Sequence, residues 1–274
     1  MAVRDKIGDE MQQADRNNPT VSVITPAFNA EKTIRGTIDS VLAQTYQDYE
    51  IIVVDDYSTD RTVEIVEKYV TKDSRVRLIQ LEENSGAAVA RNTAMKAAKG
   101  RYIAFLDSDD QWFPTKLEKQ LAFMQEKDIA FSFTKYVRMD DEEKLTGNIS
   151  KAPKSVGYHD LMKHCVIGCL TVMIDREKVG KQEMKNIRRR QDYAYWLTLT
   201  KQGFKAYGFP EVLAKYRMGK NTVSSNKVKA AKGQWYVYRQ IEHQNLLKSS
   251  YYFVHYAFKG IKNSLKTKMS KKQA

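Results

Sequence analysis

Arg101-Tyr102-Ile103-Ala104-Phe105-Leu106-Asp107-Ser108-Asp109-Asp110 sets an apolar run against three carboxylates within four residues. A short continuous apolar run of this kind reads as a buried strand. Carboxylates at its carboxyl end then lie at the rim of a sheet, where open α/β folds bind ligands. Three acids so close together repel one another unless a cation sits among them. A hard divalent ion with oxygen ligands, bridging to phosphate, would serve. The competing reading is a solvated acidic turn in which Asp110 caps the helix that follows.

Upstream, three more β-branched runs have the same character: residues 21–26, 50–56 and 76–81. Between them lie helical patterns. Ile34, Ile38, Val41 and Leu42 recur at helical spacing within 31–45. Ser58 or Thr59 can cap a helix through Tyr69 with Val63, Val66 and Val70 on one face. Asn84-Ser85-Gly86 turns into an alanine-rich helix over 87–99 that Gly100 terminates. Continuous apolar strands alternating with helices predict parallel pairing covered on both faces. That arrangement brings four loops to one rim: 25–29, Asp55/Asp56, 84–86 and 107–109.

Downstream, a helix runs from Pro114 to about Gln125, and 129–137 has strand character. Residues 139–155 read as a polar surface loop and 166–174 as a buried strand. Ile187 to Asp192, with three arginines, precedes a helix over 193–202 with Tyr195, Trp196 and Leu199 inward; Gly203 ends it. Phe204 to Phe209 begins a last strand, and from Lys215 the chain lacks clear sheet signals. Trp112 and Trp196 read as core, with stacking of Trp112 on a sugar as the alternative. Cys165 and Cys169, four residues apart near His159 and His164, read as free thiols of a reducing compartment rather than as a zinc site.

The chain has 274 residues, 42% of them hydrophobic and 11% aromatic, which excludes a disordered chain. The net charge of +13 is unevenly placed. Residues 212–274 carry 14 Lys/Arg against Glu242 alone, so the whole excess sits in that last stretch. No apolar run reaches the length of a membrane span, and residues 1–20 lack the apolar core of a signal peptide.

Phosphate-binding loops are missing: there is no Gly-rich loop with Lys-Ser/Thr and no Gly-x-Gly-x-x-Gly after the first strand. A phosphate-bearing ligand would then be held mainly through a metal, which suits Asp107-Ser108-Asp109, an Asp-x-Asp sequence. Here the motifs carry a resemblance. Val21-Ser22-Val23-Ile24-Thr25-Pro26-Ala27-Phe28-Asn29-Ala30-Glu31, Ile51-Ile52-Val53-Val54-Asp55-Asp56-Tyr57-Ser58-Thr59-Asp60, Asn84-Ser85-Gly86 with Arg91-Asn92, and Phe105 to Asp110 together resemble the family 2 inverting glycosyltransferases of GT-A fold. Gln191-Asp192-Tyr193-Ala194-Tyr195-Trp196 resembles the same family's later Glu-Asp-Tyr-x-x-Trp segment.

The resemblance implies a GT-A nucleotide-diphospho-sugar transferase fold: α/β, with a mostly parallel central sheet flanked by helices and a basic helical C-terminal extension. It divides the chain into a polar segment (1–19), a catalytic domain (20–217, nucleotide-binding over 20–112 and acceptor-binding over 113–217) and the extension (218–274). It implies that Pro26, Phe28, Asn29, Glu31 and Asp56 hold base and ribose. Asn84, Gly86 and Arg91 would serve the diphosphate and the loop over it, Asp107 the ribose with Ser108 beside it, Asp109 a Mn²⁺ or Mg²⁺ ion, and Asp192 the role of general base. Three positions depart from the pattern: Tyr57 stands for glycine, Gln191 for an acid and Phe28 for tyrosine. Asp55 reads as a structural strand-end acid.

The expected activity is transfer of a sugar from a nucleotide donor, UDP-linked, to a glycan or lipid-linked glycan in envelope polysaccharide synthesis. A nucleotidyltransferase would show a basic Gly-rich first loop, absent here. The non-enzyme alternative is an inactive module that binds a membrane or nucleic acid through its basic end. From Lys248 to Ala274 there are seven lysines and no acid, interleaved with Tyr251, Tyr252, Phe253, Tyr256, Phe258, Ile261 and Leu265. Such a helix would lie on an anionic membrane, placing the protein at the inner face of the cell membrane. Nucleic acid is the weaker reading, because no reader module accompanies the charge.

Overall fold

The computed structural model describes residues 18–218 and 227–270, without the side chains of Lys227 and 261–270. The expected polar segment falls almost entirely outside those residues. Four strands, β1 (Val21–Ala27), β2 (Tyr49–Asp55), β3 (Val76–Gln80) and β4 (Tyr102–Phe105), pair in parallel in the order β3-β2-β1-β4. Their apolar residues alternate between two layers. Ile24, Ile52 and Val54 meet Ala90 and Ala94 of α3 (Ala87–Ala97) on one face. Val23, Ile51 and Val53 meet Ile34 and Ile38 of α1 (Ile34–Leu42) and Ile65 and Val66 of α2 (Thr62–Lys72) on the other. Helices on both faces are what unbroken hydrophobic strands require.

The sheet continues through β9 (Val172–Asp175), β6 (Phe131–Met139), β10 (Ala206–Arg217) and β5 (Gln111–Trp112). β9 runs antiparallel to both β4 and β6, whereas β6 and β10 are parallel. Two short strands, β7 (Leu145–Ile149) and β8 (Ser155–Val156), pair with β6 and β10. The remaining helices are α4 (Lys116–Glu126), α5 (Tyr158–Lys163), α6 (Arg176–Val179), α7 (Gln191–Lys201), α8 (Lys227–Tyr236) and α9 (Leu246–Ser270), with a π-helical turn at Val237–Ile241.

Several local expectations are corrected. The supposed loop over 139–155 contains β7, because a hairpin can form with every side chain exposed when its backbone pairs with β6. Only the last three residues of 166–174 are strand; Cys169–Thr171 is a 3₁₀ turn. β10 extends past Lys215 to Arg217, since pairing with β6 supplies what its mixed composition does not advertise. Neither Ser58 nor Thr59 caps α2. The N-cap is Arg61, which makes no side-chain cap hydrogen bond; Asp60 Oδ1, one residue earlier, accepts from Thr62 N at 2.9 Å, and the buried face is Thr62, Ile65 and Val66, with Val70 exposed. Helix α3 stops at Ala97, and Gly100 instead lets the chain pass Ser22, whose backbone N would lie 2.7 Å from any Cβ there.

Candidate active site

The four loops at the carboxyl ends of β1 to β4 do come together. Pro26 has no N–H, and the β1–β4 ladder ends at Ile24–Phe105, so the two strands part there and open the rim. The β1 loop is latched to the β2 loop. Asn29, at φ +49°, accepts from Thr59 N through Oδ1 (2.8 Å) and donates its own N–H to Ser58 Oγ (2.9 Å). Glu31 N donates to Asp60 Oδ2 (3.0 Å), and Glu31 Oε2 accepts from Arg61 N (3.3 Å). Phe28 and Tyr57 stand out from this latch, 49% and 55% exposed. Tyr57 has φ +65°, which accounts for glycine being the expected residue there.

The paired acids divide their work. Asp55 Oδ2 accepts from Ser58 N at 2.9 Å, as a structural acid would. Asp56 is buried and holds the next loop: its carboxylate accepts from Ser85 N (2.8 Å) and Gly86 N (2.9 Å), and Asn84 Nδ2 donates to its carbonyl (3.1 Å). Burial raises the Asp56 pKa, and those two N–H groups work against the rise. Gly86, at φ +93°, then starts α3, which carries Arg91.

Arg91 is 5% exposed and its Nη2 lies 2.5 Å from Asp107 Oδ1. Burial is the largest influence and opposes its charge, yet the acidic groups around it, Asp107 foremost with Cys169 and Asp192, together raise the Arg91 pKa. Its Nε and Nη1 are buried without a hydrogen-bond partner. Asp107 and Asp110 close a turn through Asp110 N to Asp107 O (3.0 Å), with Ser108 and Asp109 at its tip. Burial and the charge of Asp107 push the Asp109 carboxyl up to about 6. Asp110 is raised further, again by burial and then by Asp109 and Asp107.

Asp110 does not cap α4. It is 1% exposed, and its Oδ1 accepts from Arg217 N at 2.9 Å while Oδ2 has no partner. The Arg217 side chain completes the clamp, donating Nε to Asp109 O (2.8 Å) and Nη2 to Glu143 Oε1 (2.6 Å). The cation demanded by the acid cluster is therefore partly supplied by Arg91 and Arg217. Sequence reading missed Arg217, which sits 107 residues beyond Asp110. Its only signal was a cation at the end of a strand whose pairing the sequence did not reveal.

Asp192 lies in the first turn of α7, whose buried Tyr195 and Trp196 lock it against Phe105 of β4 at centroid distances of 6.4 and 5.6 Å. The residue before the helix, Arg190, is left-handed at φ +65°. Cys169 shares the neighbourhood: burial and the charges of Arg91, Asp107, Asp192 and Asp110 all act on its thiol, whose pKa is raised well above the usual value. The charges of Asp107, after β4, and of Asp192, on α7, thus both act on Arg91 and on Cys169. Trp112 does not face it, being 2% exposed with Nε1 donating to Leu170 O at 2.8 Å.

Among the described residues, no three His, Cys, Asp or Glu side chains form a metal cage. The turn nevertheless suits a hard cation shared with a ligand. Asp109 resists ionising alone, and magnesium-like ions take one or two carboxylates and draw their other oxygens from phosphates and water.

The sheet thus parts at the carboxyl ends of β1 and β4, and the acidic turn that follows β4 lies at the opening. The family model for glycosyl transferase family 2 matches residues 22–217, and the chain belongs to that family and is a glycosyltransferase. It is 53% identical over 247 residues to a "putative teichuronic acid biosynthesis glycosyltransferase TuaG" of Bacillus subtilis, covering 90% of this chain and 98% of that one. It is 41% identical to WfgD of Escherichia coli, a "UDP-Glc:alpha-D-GlcNAc-diphosphoundecaprenol beta-1,3-glucosyltransferase", over 88% of this chain and 94% of that one. The fold is shared with S. aureus TarS in complex with UDP (TM-score 0.60, 23% identity, 73% of this chain and 60% of that one). It is also shared with the mannosyltransferase PcManGT of Pyrobaculum calidifontis in complex with GDP-Man and Mn²⁺ (TM-score 0.65, 18% identity, 86% and 70%).

Proposed function

We propose that this glycosyltransferase moves a sugar, with inversion, from a UDP-sugar to a hydroxyl of a lipid-linked glycan in envelope polysaccharide synthesis. The buried Arg91–Asp107 pair beside Asp109, with the charge of Asp192 also acting on Arg91, is the observation that supports the reading. Two relatives whose names specify UDP-Glc and a diphosphoundecaprenol acceptor support the donor and acceptor classes.

The residues divide the task. Phe28 and Tyr57 offer exposed ring faces to the base beside the latched loop of Pro26, Asn29 and Glu31. Asp56 acts by holding the Asn84–Gly86 loop in place. Asp107, fixed by Arg91, meets the ribose with Ser108 alongside, and the spare Nε and Nη1 of Arg91 suit a phosphate oxygen. Asp109 would hold Mn²⁺ or Mg²⁺, which when bound neutralises charge on the departing diphosphate. Asp192 accepts the proton of the acceptor hydroxyl as that oxygen attacks the anomeric carbon from the face opposite the leaving group. A single displacement inverts the centre and needs no covalent intermediate.

Asp192→Asn tests the assignment, because it keeps size and hydrogen bonding but cannot take a proton. Transfer is expected to fall by about 10²–10⁴-fold with donor affinity unchanged. Retained transfer, or loss of donor binding alone, would remove Asp192 from the role.

A further inference from the structure

We propose that the outward face of α9 is a docking surface for an anionic lipid bilayer, set beside the helix that carries Asp192. The aromatic residues of this helix do not gather on one face. One side is packed: Tyr252 is buried with its OH 2.9 Å from His159 Nδ1, Phe253 meets Trp235 edge-on at 5.4 Å, and Tyr256 OH accepts from Arg190 Nη2 at 3.1 Å. On the opposite side Leu247, Tyr251, Val254 and Phe258 stand 82%, 52%, 66% and 70% exposed. Their spacing of four, three and four residues makes a single stripe along a helix of 3.6 residues per turn. In the sequence Ile261 and Leu265 follow in the same helical register.

An unbroken apolar stripe on an exposed helix marks an interaction surface. Its charge selects the partner. Lys248 and Lys259 flank the stripe, Lys262, Lys266 and Lys268 follow in the same helix, and no acid occurs after Glu242. A second copy of the chain would bring lysines against lysines across a two-fold axis. A nucleic acid would satisfy the lysines but leave the aliphatic row in water. A bilayer with anionic headgroups satisfies both, with the helix lying in the interface. Spanning is excluded for this helix, since no described helix is long and apolar enough to cross a membrane. The Tyr256–Arg190 contact, just before α7, would then hold the active site close to the lipid surface where a lipid-linked acceptor resides. That last consequence rests on the proposed acceptor; the docking itself does not.

Flotation of the full chain with vesicles tests the surface without donor or acceptor, so its failure is separable from failure of the catalytic reading. The chain is expected to float with phosphatidylglycerol/phosphatidylcholine vesicles, less so at high salt, and poorly with phosphatidylcholine alone. Changing Leu247, Tyr251, Val254 and Phe258 together to Ser should reduce anionic-vesicle partitioning by about tenfold or more. The circular-dichroism spectrum and melting temperature of the variant should match those of the wild type, which establishes that it is folded. Lys248→Gln with Lys259→Gln should weaken binding and flatten its salt dependence. Equal flotation of the Ser variant, absence of wild-type binding to anionic vesicles, or a wild-type dimer in light scattering that the Ser changes dissociate would each overturn the proposal.

Discussion

Tyr57 occupies backbone that glycine adopts freely, at φ +65°, and leaves its ring half exposed beside Phe28. A non-glycine residue in that region costs about 1 kcal/mol, and glycine would lose a comparable amount through its freer unfolded chain. The two effects oppose each other, so Tyr57→Gly should change stability by no more than about 0.5 kcal/mol in denaturant melts. If the ring stacks on the base, donor affinity measured by calorimetry should nevertheless fall severalfold. The departure from glycine was visible in the sequence, but not that this ring stands at the rim. The balance of charge at Asp107, Asp109 and Asp110 was also only half visible. The acids are adjacent in the chain, whereas Arg91 and Arg217 reach them from α3 and β10.

At the scale of elements, α7 is fixed by Trp196, which is fully buried between Phe105 (5.6 Å) and Phe131 (5.2 Å). Trp196→Ala should cost about 3–5 kcal/mol of unfolding free energy, read by denaturant melts. Its indole Nε1 has no partner, so Trp196→Phe loses no hydrogen bond and should cost about half as much or less. The segment after α5 responds to acid. Burial lowers the His164 pKa to about 4, aided by the charges of Lys259 and Arg190. The native imidazole is then neutral where the unfolded one binds a proton. Stability on this account is full above about pH 6.5 and falls progressively towards pH 4, by about 1–3 kcal/mol. His164→Gln should flatten that part of the stability–pH curve. Helices α1 to α4 and strands β1 to β4 could be read from periodicity because each buries a locally contiguous apolar pattern. β7 could not, since all five of its side chains are exposed and only its backbone pairs.

For the whole molecule, a bound donor should stabilise the fold by mass action. At 100 times its dissociation constant the gain is about 2.7 kcal/mol, or about 5–10 °C in melting temperature for a chain this size. UDP-sugars with Mn²⁺ should give that shift in a thermal-shift panel; equal shifts with GDP-sugars would remove the preference for uridine. The sequence by itself determined the Rossmann-like first half and which loops meet at its rim. Apolar runs joined by helices can pack only as right-handed parallel crossovers, which send every carboxyl end to the same edge. It also determined that the excess charge belongs to the last helices. Only the tertiary structure decided that β9 enters antiparallel between β4 and β6, that Arg217 clamps the acidic turn, and that α9 turns one aromatic face to the domain and leaves the other exposed. Those outcomes depend on contacts between residues tens to about a hundred positions apart, and no local pattern encodes which of two apolar faces will find a partner.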